Sequence, residues 1–213
     1  MMKEIAIIFQ RTLWVFGIVV LLSSCGLGLQ ESFEYKSSSR EVPEFDMTVY
    51  DWVKSNQDSV FDYLSLAIDY AGMQEHFEAE GRTYFLLQDG AWATILEDLV
   101  DPNAPNPDDT ITVEDIPIAK LKNLLLYHTI DERVAQTDVL AVDVHYEYQT
   151  MLEGEDGIMI IKRENLKFRL DINEKASGLL PAESRGARIF RHNYKFTNGL
   201  SHIATSYFRY KPF

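Results

Sequence analysis

The chain carries five histidines and one cysteine, the residue types most often recruited for metal binding and nucleophilic chemistry. His76, His128, His145, His192 and His202 never stand in an HExxH frame, and a lone Cys25 rules out CxxC, so no metal-ligand spacing is present. Ser184 sits in Glu183-Ser184-Arg185-Gly186, outside the GxSxG frame of a nucleophile elbow. Carboxylates are abundant, but a glycosidase needs two of them at a fixed separation, and abundance selects no pair. Glu153, Glu155 and Asp156 share one turn, where solvated charge is the ordinary explanation. Asp101, Asp108 and Asp109 lack the alternating ligands and closing Glu of a calcium loop. The residues therefore point to no catalytic group, no metal and no cofactor. Stacking on sugar would fall to Tyr146, Tyr148, Tyr207 or Tyr210, although alternation puts Tyr146 and Tyr148 on one face that serves equally well as core.

The bulk numbers narrow the class further. Hydrophobic residues make up 46% and aromatics 12% of 213 residues, enough for one globular domain with extensions. A formal charge of −13 repels phosphate, which excludes a nucleic-acid partner and charge-driven docking on an anionic membrane. A single cysteine leaves no intrachain disulfide.

The elements that would position these residues follow from period and caps. Thr48 caps a short helix that turns Tyr50 and Val53 inward and stops near Asn56. Asp58 caps a second helix, with Val60, Phe61, Leu64, Ala67, Ile68 and Ala71 as its apolar stripe. Gly72 takes its C′ position, and Asp62, Ser65 and Asp69 face water. Thr83–Leu87 is a buried strand, and Gln88-Asp89-Gly90 opens a helix through Leu99. Three prolines make 101–110 a loop. Pro117 in a first turn begins the helix that carries Leu121, Leu124 and Leu125 on one face. Its register changes at Leu126, so that Leu126–Ile130 reads as the start of a strand. The rest is mostly strand: Val144, Tyr146 and Tyr148 alternate with polar residues, Glu153–Gly157 turns a hairpin, and Ile158–Lys162 returns. Leu166, Phe168, Leu170 and Ile172 alternate with Lys167, Arg169 and Asp171. After a loop over 173–186 come strands at Ala187–Phe190, Tyr194–Phe196 and Leu200–Arg209, the last two joined at Asn198-Gly199. Helices in the first half and strands in the second give an α+β class.

Residues 1–24 read as a signal peptide. Lys3 and Arg11 precede the apolar run Leu13–Leu22, which is too short for a comfortable membrane span. Leu22-Ser23-Ser24-Cys25 resembles the bacterial lipobox, which implies that Cys25 is lipidated and becomes the mature N-terminus. Residues 25–45 contain Ser37-Ser38-Ser39 and Pro43 without a sustained period, and read as a flexible tether.

Residues 46–213 resemble a fasciclin domain in three stretches. Thr83–Trp92 follows the family's strand-to-helix segment at Thr83, Phe85 and Ala91, with Trp92 in an aromatic position. Leu125-Leu126-Tyr127-His128 follows its Leu-Leu-Tyr-His segment. Thr197-Asn198-Gly199-Leu200-Ser201-His202-Ile203-Ala204 follows its Thr-Asn-Gly segment. The resemblance implies a wedge of mainly antiparallel strands with helices around it, and adhesion or extracellular binding in place of catalysis. The Asp-Ile signature of integrin-binding members has no counterpart in His192–Phe196.

On this reading Phe85, Tyr127, His128, Asn198, Gly199 and His202 are structural. Tyr127 is core, His128 and His202 are buried rings satisfied by nearby polar groups, and Asn198-Gly199 is a turn needing positive φ. The expected function is a non-catalytic lipoprotein of a Gram-negative outer membrane. It would bind an extracellular glycan or protein, with membrane contact through its N-terminal lipid. A structural accessory subunit of an outer-membrane nutrient-uptake complex is the alternative.

Overall fold

The computed structural model describes residues 42–56, 60–101, 111–142, 144–164, 168–175 and 178–213. The helices are α1 (Val49–Ser55), α2 (Asp62–Ala71), α3 (Gln74–Glu78), α4 (Asp89–Leu99) and α5 (Ile118–Tyr127). The strands are β1 (Arg82–Leu87), β2 (Thr129–Ile130), β3 (His145–Gln149), β4 (Ile158–Lys162), β5 (Leu170–Ile172), β6 (Ala187–Ile189), β7 (Arg191–Lys195) and β8 (Gly199–Ala204). They form two sheets, ordered β2-β1-β8-β7 and β3-β4-β5-β6. Every strand pair is antiparallel except β1 with β8. The expected α+β class, with helices mostly in the N-terminal half, is what the chain adopts.

The parallel pair is the centre of the first sheet. Residues Thr83–Leu87 of β1 and all of β8 are buried, as expected of strands covered on both faces. Helix α2 packs on α5 and α4, and α4 packs back on β1. Gly72 ends α2 in the left-handed conformation, with φ 62°, where a glycine carries no Cβ penalty.

Several expectations change in detail. In α1 the buried residues are Val49, Trp52 and Val53, while Tyr50 is half-buried and donates to Asp69 at 2.9 Å. Ser65 is buried instead of facing water. Helix α3 is unforeseen, because five residues are too short for a helical period to show. Asp89 does not cap its own helix; its carboxylate accepts from the Tyr63 amide at 3.1 Å, in the first turn of α2. Pro117 occupies the N-cap position of α5, one residue earlier than expected. That helix runs through Leu126 to Tyr127, because the Leu124 carbonyl accepts both the His128 amide and His128 Nδ1 at 2.8 Å. β8 stops at Ala204, short of Arg209. Residues 43–45, placed in the tether above, pair with β7: Phe45 N–H donates to Lys195 O and Lys195 N–H donates to Pro43 O. The Phe45 ring stacks 5.2 Å from Phe196, which draws the segment into the fold. Asp58, Lys167 and the loop over 102–110 lie outside the described residues.

Candidate functional site

The motif residues converge on the seam between the helices and the first sheet. Tyr127, at the end of α5, is fully buried. Its hydroxyl donates to Ile158 O at 2.9 Å and accepts from Asn173 Nδ2 at 2.8 Å. Both bonds reach the second sheet, so one phenol ties α5 to β4 and to the residue after β5. Burial pushes its pKa up, and it stays neutral at physiological pH.

His128 and His202 flank the same core. Phe85 lies 5.2 Å from the His202 ring and 5.5 Å edge-on from Phe208, while Phe208 lies 4.3 Å from the His128 ring. His128 Nδ1 bonds a carbonyl, so it carries the proton. His202 accepts from Asn193 N–H at Nδ1 and donates from Nε2 to Val134 O at 2.9 Å. Burial lowers both rings from 6.5 to about 4, against the raising effect of the carbonyl each one meets. His76 falls to about 4 through burial and then the Arg82 charge. Arg82 can only donate, so His76 Nδ1 accepts and its Nε2 donates to Thr129 Oγ1 at 3.0 Å. Both nitrogens of His76 and His202 are thus engaged, whereas His128 Nε2, against the expectation, is buried with no hydrogen-bond partner among the described residues.

Asn198 works as a clip. Its Oδ1 accepts from the Val49 amide at 2.9 Å, and its Nδ2 donates to Phe77 O at 2.8 Å and Ala79 O at 3.2 Å. It thereby fastens α1 and the end of α3 to the β7–β8 turn. Gly199 corrects the sequence reading: neither it nor Asn198 has positive φ. The constraint is close approach, since a Cβ at Gly199 would lie 2.6 Å from the Arg82 carbonyl oxygen of the paired strand. Among the described non-glycine residues positive φ falls instead on Asn173 (48°) and Asn193 (65°), both missed in the sequence. Asn is the residue best suited to that conformation after glycine, which was the available signal.

The candidate stacking tyrosines are not on open surface. Tyr207 is buried, and Tyr146, Tyr148 and Tyr210 are half-buried against the core. Among the described residues the most exposed aromatics are Phe168 and Phe190, at 71% and 64%. Phe168 was expected to join Leu170 and Ile172 on an inward face, and Asp171 to point out. The structure reverses both: Asp171 is 2% exposed. Arg169 Nε reaches Asp171 Oδ1 at 2.8 Å and Arg188 Nε lies 3.7 Å away, so two arginine side chains roof the buried carboxyl group.

Phe190 stands at a groove of about 740 Å³ where the second sheet meets the segment after β8. Asp171, Ser184, Arg185, Arg188 and Arg209 are among its lining. Arg185 and Arg209 both reach Asp98, at 3.3 and 3.0 Å, and both lie over the Tyr207 ring. Beside the groove, carboxylate oxygens of Glu164, Asp171 and Glu174 come within 4.8 Å of one another. Lys162 sits 3.0 Å from Glu174, and with the arginines on Asp171 it supplies the positive charge a metal ion would otherwise bring.

The polar side chains of this seam bind the domain to itself. The fasciclin domain profile matches residues 59–206, and the chain belongs to that family. It resembles the FAS1 domain pair of the insect cell adhesion molecule fasciclin I at 16% identity and a TM-score of 0.51, over 76% of this chain and 50% of that one. The chain thus spans about half the length of that structure, and the likeness shows the fold. No curated protein matches the chain.

Proposed function

We propose that this protein is a non-catalytic binding module, attached to an outer membrane through a lipid on Cys25, that mediates adhesion or holds an extracellular ligand. The observation that carries the reading is the inward use of the motif's polar groups. Tyr127, Asn198 and His202 bond to backbone groups of the domain and to Asn173, which leaves them to hold a shape. Membership in the fasciclin family supports adhesion and binding over turnover. Leu22-Ser23-Ser24-Cys25 supports the anchor. Among the described residues no helix is long and apolar enough to cross a membrane, and a lipid anchor needs none.

Two measurements on the full chain in a Gram-negative host test this. Wild type should fractionate with membranes and carry an acylated N-terminus by mass spectrometry, while Cys25→Ala should be released or remain unprocessed. Soluble, unacylated wild type would sink the anchor. Beads coated with the purified chain should retain a cell-surface or matrix ligand without altering it. Turnover of a defined glycan or ester, abolished by one carboxylate or serine change with the fold intact, would sink the non-catalytic reading.

A further inference from the structure

We propose that the groove beside Phe190 is a saccharide site that takes a neutral, hydroxyl-rich sugar ring. The inference rests on the binding-module reading and names the surface and the ligand class.

Size and lining come first. About 740 Å³ falls within the usual range for small-molecule sites. Phe190 is 64% exposed in a groove otherwise lined mainly by polar and charged residues, so it offers one flat apolar face to the C–H face of a pyranose.

The polar atoms point the same way. Asp171 Oδ2, Ser184 Oγ and Arg209 Nε are buried and have no hydrogen-bond partner among the described residues, and all three residues line the groove. One is an acceptor, one a donor, and the hydroxyl is both. Buried groups of this kind are rarely left unanswered. A sugar hydroxyl donates and accepts, and can answer either kind.

Charge separates a neutral ligand from an anion. The charges around the groove balance: Lys175, Arg185, Arg188 and Arg209 stand against Asp171, Glu174, Glu183 and the adjoining Asp98, with Arg185 and Arg209 sharing Asp98 and Arg188 close to Asp171. Glu174 is matched by Lys162. An anion would compete with these carboxylates for the same guanidinium groups, whereas a neutral hydroxyl bonds to them and leaves the pairs in place.

The test is an array of neutral oligosaccharides (β-glucan, mannan, xylan and galactan series) with uronate and sulfated counterparts, probed with the purified full chain. A neutral series should bind, with little change on raising salt. Phe190→Ala should weaken it by about tenfold or more at unchanged Tm, and Arg188→Ala should weaken it as much with some loss of Tm, because Arg188 also covers Asp171. Phe168→Ala, equally exposed but outside the groove lining, should leave it unchanged. Binding confined to the acidic series and lost in salt would overturn the proposal. So would neutral binding that survives both groove variants, or no saccharide binding at all. In those cases retention of a protein ligand on the coated beads would keep the binding-module reading, and failure there as well would remove both.

Discussion

Asn173 Nδ2 donates to the Tyr127 hydroxyl at 2.8 Å, across 46 residues of sequence and from the end of an inner strand to the end of a helix. Asn173 holds its place through its own backbone: φ is +48°, and its amide and Oδ1 both engage Ile160. Removing the phenol oxygen strands two buried groups, Asn173 Nδ2 and Ile158 O.

Tyr127→Phe should therefore cost about 1–3 kcal/mol, the penalty of unmet buried polar groups. Tyr127→Ala should cost about 3–5 kcal/mol by adding a cavity. Denaturant melts of the two variants give the numbers. A Tyr127→Phe variant as stable as wild type would show that the bridge contributes nothing.

Gly199→Ala forces a methyl against the Arg82 carbonyl, at a distance no Cβ tolerates, so β1 and β8 must separate. The expected loss is about 1–3 kcal/mol or more, the range for overpacking. Gly90→Ala is the control: nothing lies within 4 Å of its Cβ, and its effect should be neutral or slightly stabilising. Equal melting temperatures for the two variants would refute the close-approach account.

Stability should depend on pH through His76, His128 and His202. Each titrates near 6.5 when unfolded and near 4 in the fold. Between those values the unfolded chain binds more protons, so stability rises with pH and is lost as pH falls from 6.5 through 4. His128 and His202 should contribute roughly 3 kcal/mol each across that window. Thermal melts from pH 7 to 4.5 should show a slope, and His202→Gln should flatten it. Parallel profiles for the two proteins would rule His202 out as a contributor.

Asn198→Asp tests the clip. It keeps an acceptor for the Val49 amide but sets a carboxylate against the Phe77 and Ala79 carbonyls. It should destabilise more than Asn198→Ala, because an unpaired buried charge costs more than a lost bond. Hydrogen exchange should show α1 and α3 opening first. Protection lost only in the second sheet would contradict the clip.

What the sequence revealed was whatever repeats with a period or sits in a motif. Leu121, Leu124 and Leu125 marked α5, and Tyr127 was legible as core because it closes that face. Asp171 was not legible: alternation reads one strand, and its burial depends on Arg188 from the neighbouring strand. Phe208 was hidden for a similar reason. It lies beyond the last strand, and it packs on His128, which precedes it by about half the domain. Gly199 was right in identity and wrong in cause, since backbone proximity between paired strands leaves no trace in either one. The Phe190 groove was out of reach, being assembled from β5, β6 and the segment after β8.

Pro43–Phe45 lies along the outer edge of β7, with Glu44 bridged to Lys195. An open strand edge is a template on which another chain can add itself. Here the edge is already taken, and Pro43 has no N–H to offer a further strand. A chain trimmed past Phe45 would keep most of its core yet expose the β7 backbone and uncover Trp52, Tyr194 and Phe196 together. Those few residues close the β7 edge of the sheet to any further strand.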